Sequence, residues 1–187
     1  MKRGLRQGGT MSTLYYLIFI DDLLNDLSKS NSGAPLNALH CGNPTLADDI
    51  TLLALSPRSL QYMLNICQDY SMQWKFSFST TKSCTMVFGG RFDKDIFQWR
   101  LGGVELEMKD NHEHLGIPIS NNMSCTKKIE KSYKKGRASL FAILGIGAND
   151  CKVNPMIYLN LYRKVVLPSA LYGSETWNNI PISTPCS

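Results

Sequence analysis

A pair of adjacent aspartates interrupts an apolar stretch of this sequence and restricts how that stretch can fold. Asp48 and Asp49 lie within TLADDITLLAL, residues 45–55, whose other side chains are aliphatic residues and threonines. Aspartate disfavours β-strands, and a charged side chain is rarely buried without a partner. The apolar flanks predict a hairpin that is largely buried, so the two carboxylates are expected at its turn or beside a cation.

Two interpretations of the aspartate pair are open on these residues alone. Carboxylate oxygens at a hairpin turn can bind a hard cation such as Mg²⁺. Aspartates are also common in ordinary solvated turns, and for an isolated Ala-Asp-Asp the solvated turn is the better explanation, because short motifs often match by chance. Asp21 and Asp22 form a second pair, which the helical pattern around them places on a helix surface.

The residues around the pair predict a helix, a β-hairpin and a second helix. Residues 11–28 carry apolar side chains at helical spacing, with Ser12 as the expected N-cap. Ser56 and Pro57 are expected to cap and open the second helix. Between the helices, the hairpin is expected to turn near residues 42–44 or near the aspartates. The expected buried stripes are Tyr16, Ile20, Leu23, Leu24 and Leu27 on the first helix and Leu60, Met63, Leu64, Cys67 and Trp74 on the second.

Short strands are expected after the second helix. Residues 84–90 have a strand-like pattern, and residues 97–108 predict a hairpin that turns at a Gly-Gly pair. Residues 114–120 predict another short strand, which is expected to end at Pro118.

The last third of the chain is expected to be mostly helical. Residues 122–144 have a helical pattern with lysines outside the apolar stripe, and residues 155–172 predict a further helix closed by Gly173. The apolar stripe of the first of these helices consists of Ile129, Tyr133, Leu140 and Ile143. The chain is therefore predicted to be an α+β protein with a subdomain boundary near Asn121.

The composition excludes several classes of protein. The 187 residues suit one domain, or one domain with a small appendage, and 43% of them are hydrophobic, which allows a buried core. No apolar run is long enough to cross a bilayer and no secretory signal is recognisable, so a nuclear or cytoplasmic protein without a membrane partner is expected. The six cysteines are widely spaced with no C-x-x-C pair, so reduced thiols without a disulfide partner are expected.

The positive charge is concentrated in one segment. The chain has a net charge of +5, and residues 127–137 hold six cations against Glu130 alone, which accounts for all of it. A clustered basic segment attracts nucleic acid or an acidic membrane surface. A solvated helix face explains the charges equally well when they are considered by themselves.

The order of the motifs resembles one protein family. GLRQGG followed by a helix, then LADDI, a helix ending in Trp74, FSTTKSCTMVF and HLGIPIS occur in the order of the reverse transcriptase domain of non-LTR (LINE-type) retrotransposons. YRKVVLPSALYGSETW resembles the segment that follows the polymerase core in those elements. The resemblance extends from Gly4 to Trp177, and five motifs in the same order make it specific although each one is weak alone.

The resemblance implies a fold, an activity and a set of partners. Residues 1–121 would form a partial polymerase palm, made of a helix, the catalytic β-hairpin, a helix and small strands, without its first catalytic strand. Residues 122–187 would form a helical segment like a thumb or connection. The intact parent would be an RNA-directed DNA polymerase that performs two-metal nucleotidyl transfer with Mg²⁺, an RNA template, a DNA primer and dNTPs.

The family's functional positions can be assigned to residues of this chain. Asp48 and Asp49 match the catalytic aspartates, with Asp48 as the expected metal ligand. The expected nucleotide- and template-binding residues are Arg6, Gln7, Gly8 and Lys82, and Leu115-Gly116 match the turn on the primer side. The cations expected along the nucleic-acid backbone are Lys127, Lys128, Lys131, Lys134, Lys135 and Arg137.

The sequence departs from the family pattern in ways that bear on activity. Leu46 stands where an aromatic residue usually precedes Ala-Asp-Asp, and Gly9, Met11–Thr13 and Ser79 also differ from the usual residues. In this family the other essential aspartate lies upstream of GLRQGG, and these 187 residues do not include it, so the chain alone is expected to be inactive. The alternative is a non-catalytic nucleic-acid-binding remnant of a decayed element, and a poorly folding remnant is a third interpretation.

Overall fold

The computed structural model describes residues 9, 11–37, 39–89, 97–145 and 154–177. Helices and short strands occur together in it, which confirms the predicted α+β class. The chain divides into two compact units: the first comprises Met1–Thr85 and Arg91–Met108, and the second comprises Met86–Gly90 and Lys109–Ser187. The predicted boundary near Asn121, between the palm-like and the thumb-like segment, stays a prediction.

The first unit contains two long helices and a series of two-residue strands. The helices are α1 (Ser12–Lys29) and α2 (Pro57–Trp74). The strands are β1 (Pro35–Leu36), β2 (Leu39–His40), β3 (Thr45–Leu46), β4 (Asp49–Ile50), β5 (Cys84–Thr85), β6 (Arg100–Leu101), β7 (Val104–Glu105) and β8 (Glu107–Met108).

The second unit is a hairpin followed by helices. Its elements are β9 (Asn111–His114), β10 (Ile117–Ser120), α3 (Thr126–Ile143), α4 (Pro155–Leu161), a π-helical segment (Tyr162–Val166), α5 (Leu167–Leu171) and a 3₁₀ turn (Ser174–Thr176). The predicted helix at 155–172 is thus one helical segment with a π-helical turn inside it, and Gly173 follows with φ of +76°. Within the described residues, no helix is both long and apolar enough to span a bilayer.

The core of the first unit lies between α1 and α2. Ile20, Leu23 and Leu27 of α1 are fully buried, which confirms the predicted apolar stripe in its second half. On α2 the buried members of the predicted stripe are Met63, Leu64 and Cys67. Burial raises the pKa of the Cys67 thiol to about 12, because the thiolate would lose its hydration.

The helix starts differ in how well the sequence predicted them. Ser56 has extended backbone, its hydroxyl accepts a hydrogen bond from the Ser59 N–H at 3.1 Å, and Pro57 is the first residue of α2, as predicted. The predicted N-cap Ser12 is wrong, because Met11 occupies that position without a side-chain cap. The Ser12 N–H already closes a turn onto the Gly9 carbonyl at 3.1 Å, so Ser12 has entered the helix.

An aromatic cluster closes one end of this core. Phe19 of α1 lies 5.6–5.8 Å, between ring centroids, from Tyr70, Trp74 and Phe76. The Tyr70 hydroxyl donates a hydrogen bond to the Phe19 carbonyl, which joins the two helices through a polar contact as well. Trp74 contacts this cluster but stays about half exposed, so its predicted burial was wrong. The sequence reasoning did not include Tyr70, which is buried.

The glycine pair forms the predicted hairpin turn. Strand β6 pairs antiparallel with β7, and Gly102 and Gly103 have φ of +63° and +75°. A two-residue turn with both central residues in the left-handed region favours glycine at both positions. The indole of buried Trp99 donates a hydrogen bond to the Pro57 carbonyl at 3.1 Å and ties this hairpin to the start of α2.

Pro118 does not end a strand but lies inside β10. Strands β9 and β10 form an antiparallel hairpin around the Leu115–Gly116 turn, and Pro118 pairs with Glu113. The pair His114–Ile117 flanks this two-residue turn and is hydrogen-bonded, so the next pair is a non-hydrogen-bonded one. At that position a strand residue needs no N–H for its partner, which explains why a proline is accepted there.

Helix α3 packs through small residues and through part of the predicted apolar stripe. Its buried residues are Ser132, Gly136 and Ile143, so the stripe is confirmed at Ile143 and wrong at Tyr133 and Leu140, which are exposed. A Cβ atom added at Gly136 would lie only 2.7 Å from the Cβ of Ala170. Because α3 lies so close to α5 at this point, only a residue without a Cβ atom fits there. Residue size, and not hydrophobicity, therefore decides which residue is buried at position 136.

We expect Gly136→Ala to destabilise the protein although alanine favours helices. The added methyl group would overlap Ala170, and such overpacking costs about 1–3 kcal/mol, against about 1 kcal/mol gained in helix propensity. The net loss would appear as a lower denaturation midpoint in urea. The double variant Gly136→Ala with Ala170→Gly restores the space and should recover stability; a single variant as stable as the original chain would contradict this packing.

Candidate functional site

The two aspartates lie at the tip of the β3–β4 hairpin. Thr45 pairs with Ile50 and Leu46 with Asp49, so Ala47 and Asp48 form the turn and Asp49 begins β4. Of the two turn positions left open by the sequence, the one at the aspartates is therefore confirmed. Ala47 has φ of +53°, in the left-handed region that tight turns require.

The predicted burial of this hairpin is wrong. Both aspartates are exposed, and Leu46 beside them has 59% of its surface accessible. The cause is the shortness of the strands: two residues on each side form a two-stranded sheet, and among the described strands none extends it. A sheet of this size has no second layer to cover it. The exposed carboxylate oxygens are consequently open to solvent and to ligands.

Backbone hydrogen bonds continue the hairpin beyond its strands. The Thr51 N–H donates to the Pro44 carbonyl at 3.0 Å, and the Leu53 N–H donates to the Gly42 carbonyl at 2.7 Å. The Ala34 N–H in turn donates to the Leu53 carbonyl at 2.8 Å. The aspartate turn is thus the end of a longer irregular ribbon, which restrains its direction.

Asn43 fastens the base of this ribbon to α1. Its side-chain amide donates a hydrogen bond to the Leu24 carbonyl at 3.1 Å, and its side-chain oxygen accepts one from the Ser28 hydroxyl at 3.4 Å. From the sequence, Asn43 was expected only as a residue of a turn. An asparagine between glycine and proline was the available signal, but its partner 19 residues away could not be recognised from spacing.

Tyr16 connects α1 electrostatically with the aspartates. The pKa of its hydroxyl is raised, first by partial burial and then by the negative charges of Asp48 and Asp49. The helix that follows GLRQGG therefore presents Tyr16 within electrostatic reach of both carboxylates. The sequence placed Tyr16 in the apolar stripe of α1 and did not recognise it as a residue of this site.

The donor set of the hairpin fits Mg²⁺ in part. Mg²⁺ is commonly held by one or two carboxylates and completes its octahedron with water and substrate phosphates. Adjacent exposed aspartates at a turn supply the carboxylates. Within the described ranges, no group of three or more His, Cys, Asp or Glu side chains is placed to hold a metal ion.

The predicted nucleotide-binding residues are only partly described. Arg6, Gln7 and Gly8 lie outside the described residues. Lys82 is exposed in the turn after α2, where its N–H donates to the Ser79 carbonyl at 3.2 Å. Among the residues with described positions, no hydrogen bond or ion pair joins Lys82 to Asp48 or Asp49, so its role at the nucleotide stays a prediction.

The predicted backbone-binding cations lie on α3, in the second unit. Residues three or four apart share a helix side, so most of the lysines lie on one side of α3, which we call the basic face. The basic face consists of Lys127, Lys128, Lys131, Lys134 and Lys135. Arg137 follows Lys134 by three residues, at the edge of this face, and stacks on Phe141, with the guanidinium 5.5 Å from the ring centroid.

Every lysine of the basic face has a partner within the second unit. The ammonium of Lys127 donates to the Asn111 side chain at 3.0 Å, and that of Lys128 donates to the Thr176 carbonyl at 3.2 Å. Lys134 pairs with Glu130 at 2.6 Å, four residues earlier on α3. Lys135 lies over the Tyr172 ring, 5.3 Å from its centroid. Each of these charges thus has a neighbouring group that orients it, while Lys127, Lys134 and Lys135 stay exposed to solvent.

A small pocket lies beside the basic face. Lys128, Lys131 and Lys135 line one side of it. The remaining lining residues are Gly116, Ile117, Pro118, Ser132, Tyr172, Gly173 and Trp177. The Lys131 ammonium donates to the Gly116 carbonyl at 3.1 Å and forms an ion pair with Glu113. The predicted primer-side turn, Leu115-Gly116, is therefore in direct contact with the basic face.

Residues 1–136 match the family described as reverse transcriptase (RNA-dependent DNA polymerase). The chain belongs to the reverse transcriptase family. The match includes α1, the aspartate hairpin, α2 and the basic face. It ends one residue before Arg137, so that cation is the one predicted contact outside the matched reverse transcriptase region.

One curated relative matches most of the chain. A transposon-derived protein of Caenorhabditis elegans is 27% identical over 146 residues, which is 76% of this chain and 50% of the relative. The chain thus spans about half the length of the curated relative that it matches. No solved structure matches the chain.

We expect Asn43→Ala to loosen the aspartate hairpin without unfolding the unit. Losing the hydrogen bonds to α1 should cost about 0.5–1.5 kcal/mol for each bond. Hydrogen exchange at the N–H groups of Thr51 and Leu53 should accelerate, while that of α2 should change little. Asn25→Ala is the matched control, because the Asn25 side chain bonds to Asp21 on the exposed side of α1. Equal exchange in both variants would show that Asn43 does not hold the hairpin.

Proposed function

We propose that this chain is a fragment of the RNA-directed DNA polymerase of a non-LTR retrotransposon. The observation that carries the proposal is the aspartate pair, exposed at a turn that hydrogen bonds hold to α1, within a chain of the reverse transcriptase family. The order of motifs supports the non-LTR type, and the transposon-derived relative agrees with a mobile-element origin.

Asp48 and Asp49 would hold Mg²⁺ in the intact parent. The bound metal would supply activation of the primer hydroxyl and neutralisation of charge on the nucleotide phosphates. The residues of this chain would orient and bind: Asn43 keeps the turn fixed against α1, and exposure leaves the carboxylate oxygens accessible. Arg6, Gln7, Gly8 and Lys82 would contact the incoming dNTP and the template.

The second unit would bind the backbone of the primer–template duplex. The basic face concentrates cations on one side of α3, and phosphate contacts need clustered cations. The Leu115-Gly116 turn lies against the same face through the Lys131 hydrogen bond. Arg137, at the edge of the basic face and stacked on Phe141, would contribute a more peripheral contact.

We further propose that these 187 residues do not polymerise DNA on their own. Two-metal transfer needs carboxylates from separate strands, which hold two ions about 4 Å apart. At the candidate site the described residues supply one pair, and both members belong to the same hairpin. The remaining carboxylate would come from another part of the polymerase, as it does in the family.

A non-catalytic nucleic-acid-binding function is the second candidate. It is favoured by the basic face, whose lysines are oriented by contacts within the second unit and do not involve the aspartates. Leu46 also favours it, because an exposed leucine replaces the aromatic side chain that the family usually places beside the metal site.

We expect divalent metal to bind at the aspartate turn. Mn²⁺, added as a paramagnetic substitute for Mg²⁺, should broaden the NMR signals of residues 47–50, and Mg²⁺ should compete. Asp48→Asn should abolish this broadening, because a neutral amide is a much weaker ligand for a hard cation. Asp21→Asn is the control, since it alters the other aspartate pair. Broadening that survives Asp48→Asn, or that centres on Asp21 and Asp22, would refute the metal site.

A primer-extension assay tests the proposed inactivity, and duplex binding by the same proteins tests the separate binding function. With Mg²⁺, an RNA template and a DNA primer, the chain should incorporate no more nucleotide than its Asp48→Ala variant. Both proteins should still bind the duplex, with an affinity that falls steeply as salt rises. Incorporation well above the Asp48→Ala level would overturn the proposed inactivity, and loss of duplex binding in Asp48→Ala would argue against a separate binding function.

A further inference from the structure

Lys131 differs from the other two lysines of the pocket, Lys128 and Lys135, in its partners. Its ammonium is held between the carboxylate of Glu113 and the carbonyl of Gly116, and 29% of its side chain is exposed. Lys127 and Lys128 bond to neutral oxygens, and Lys135 lies on an aromatic ring. Of the three pocket lysines, Lys131 is thus the one that forms an ion pair, and its partner is Glu113.

Glu113 is positioned for this contact by the register of the hairpin. It is opposite Pro118, and directly opposed residues of an antiparallel pair point to the same face. Pro118 itself lines the pocket. The hydrogen bond from Lys131 lowers the pKa of Glu113, and the positive charges of Lys131, Lys135 and His112 lower it further. The carboxylate therefore stays ionised within the field of the pocket cations.

We propose that Glu113 is a built-in competitor for phosphate at this pocket. In the free protein its carboxylate occupies Lys131, and a phosphate of bound nucleic acid takes its place. The exchange would leave Lys128, Lys131 and Lys135 together on one phosphate group. This inference rests on the proposed binding of nucleic acid by the second unit and adds how that binding is regulated.

The exchange is physically easy in this setting. A carboxylate and a backbone phosphodiester each carry one negative charge, and both accept hydrogen bonds from an ammonium, so one can replace the other at Lys131. More than half of the Glu113 side chain is exposed, so it can return to water without rearrangement of the core. Exposed ion pairs are weak, and a polyanion that releases counterions can displace one.

The chain provides a closely matched control. Glu130 also pairs with a lysine of the basic face, Lys134, and it is exposed to a similar extent as Glu113. Neither Glu130 nor Lys134 lines the pocket. Glu113→Gln and Glu130→Gln therefore change the net charge equally and remove one ion pair each, but only the first frees a lysine in the pocket.

The test measures binding of a fluorescein-labelled RNA–DNA duplex by fluorescence anisotropy over a range of salt concentrations. Glu113→Gln should bind about two- to fivefold more tightly than Glu130→Gln, the range expected for one exposed ion pair. Its salt dependence should be close to that of Glu130→Gln, because Lys131 contacts the phosphate in both variants and only the competing carboxylate is lost. The gain should vanish when Lys131→Gln is combined with Glu113→Gln.

The possible results separate this inference from the proposed function. Equal affinities of the two glutamine variants would mean that net charge alone sets binding, and the competitor role would be refuted while nucleic-acid binding stands. A gain that persists without Lys131 would also refute it. If neither the original chain nor the variants bind the duplex at low salt, the proposed binding function fails and the inference fails with it.

Discussion

The aspartate turn depends on an anchor outside its own sheet. Strands of two residues cannot bury a face or resist fraying, so the hairpin takes its position from the ribbon below it and from the hydrogen bonds between Asn43 and α1. Helix α1 is in turn held by its buried leucines and by the Phe19 cluster on α2. The position of the two carboxylates thus rests on the ribbon below them and, through Asn43, on a helix pair.

The second unit carries five lysines on one side of a helix, where like charges repel one another. Gly136 and Ser132 let α3 approach α5 closely, so its buried side needs little width. The remaining surface is free to carry charge, and neighbouring groups orient that charge. Neutral oxygens, an aromatic ring and two carboxylates restrain these lysines in the free protein. The side chains therefore lose less conformational entropy when a ligand binds.

Sequence reasoning succeeded where the signal was local. The Ser56 cap, the Gly102-Gly103 turn and the buried stripe of α1 were predicted because each depends on neighbours a few residues away. Predictions of burial failed more often. Leu46, Trp74 and Tyr133 are hydrophobic residues that were expected inside and are exposed, because burial depends on which element covers a surface and not on spacing along one element.

The sequence by itself determined the family, the order of the elements and the placement of two aspartates at a turn, since these follow from local residue preferences and the order of motifs. The tertiary structure alone decided the contacts between distant residues: Asn43 with Leu24, Tyr16 near the aspartates, and Glu113 with Lys131. Such pairs join groups with no periodic relation along the chain. Only the folded backbone brings them within the few ångströms at which hydrogen bonds and charges act.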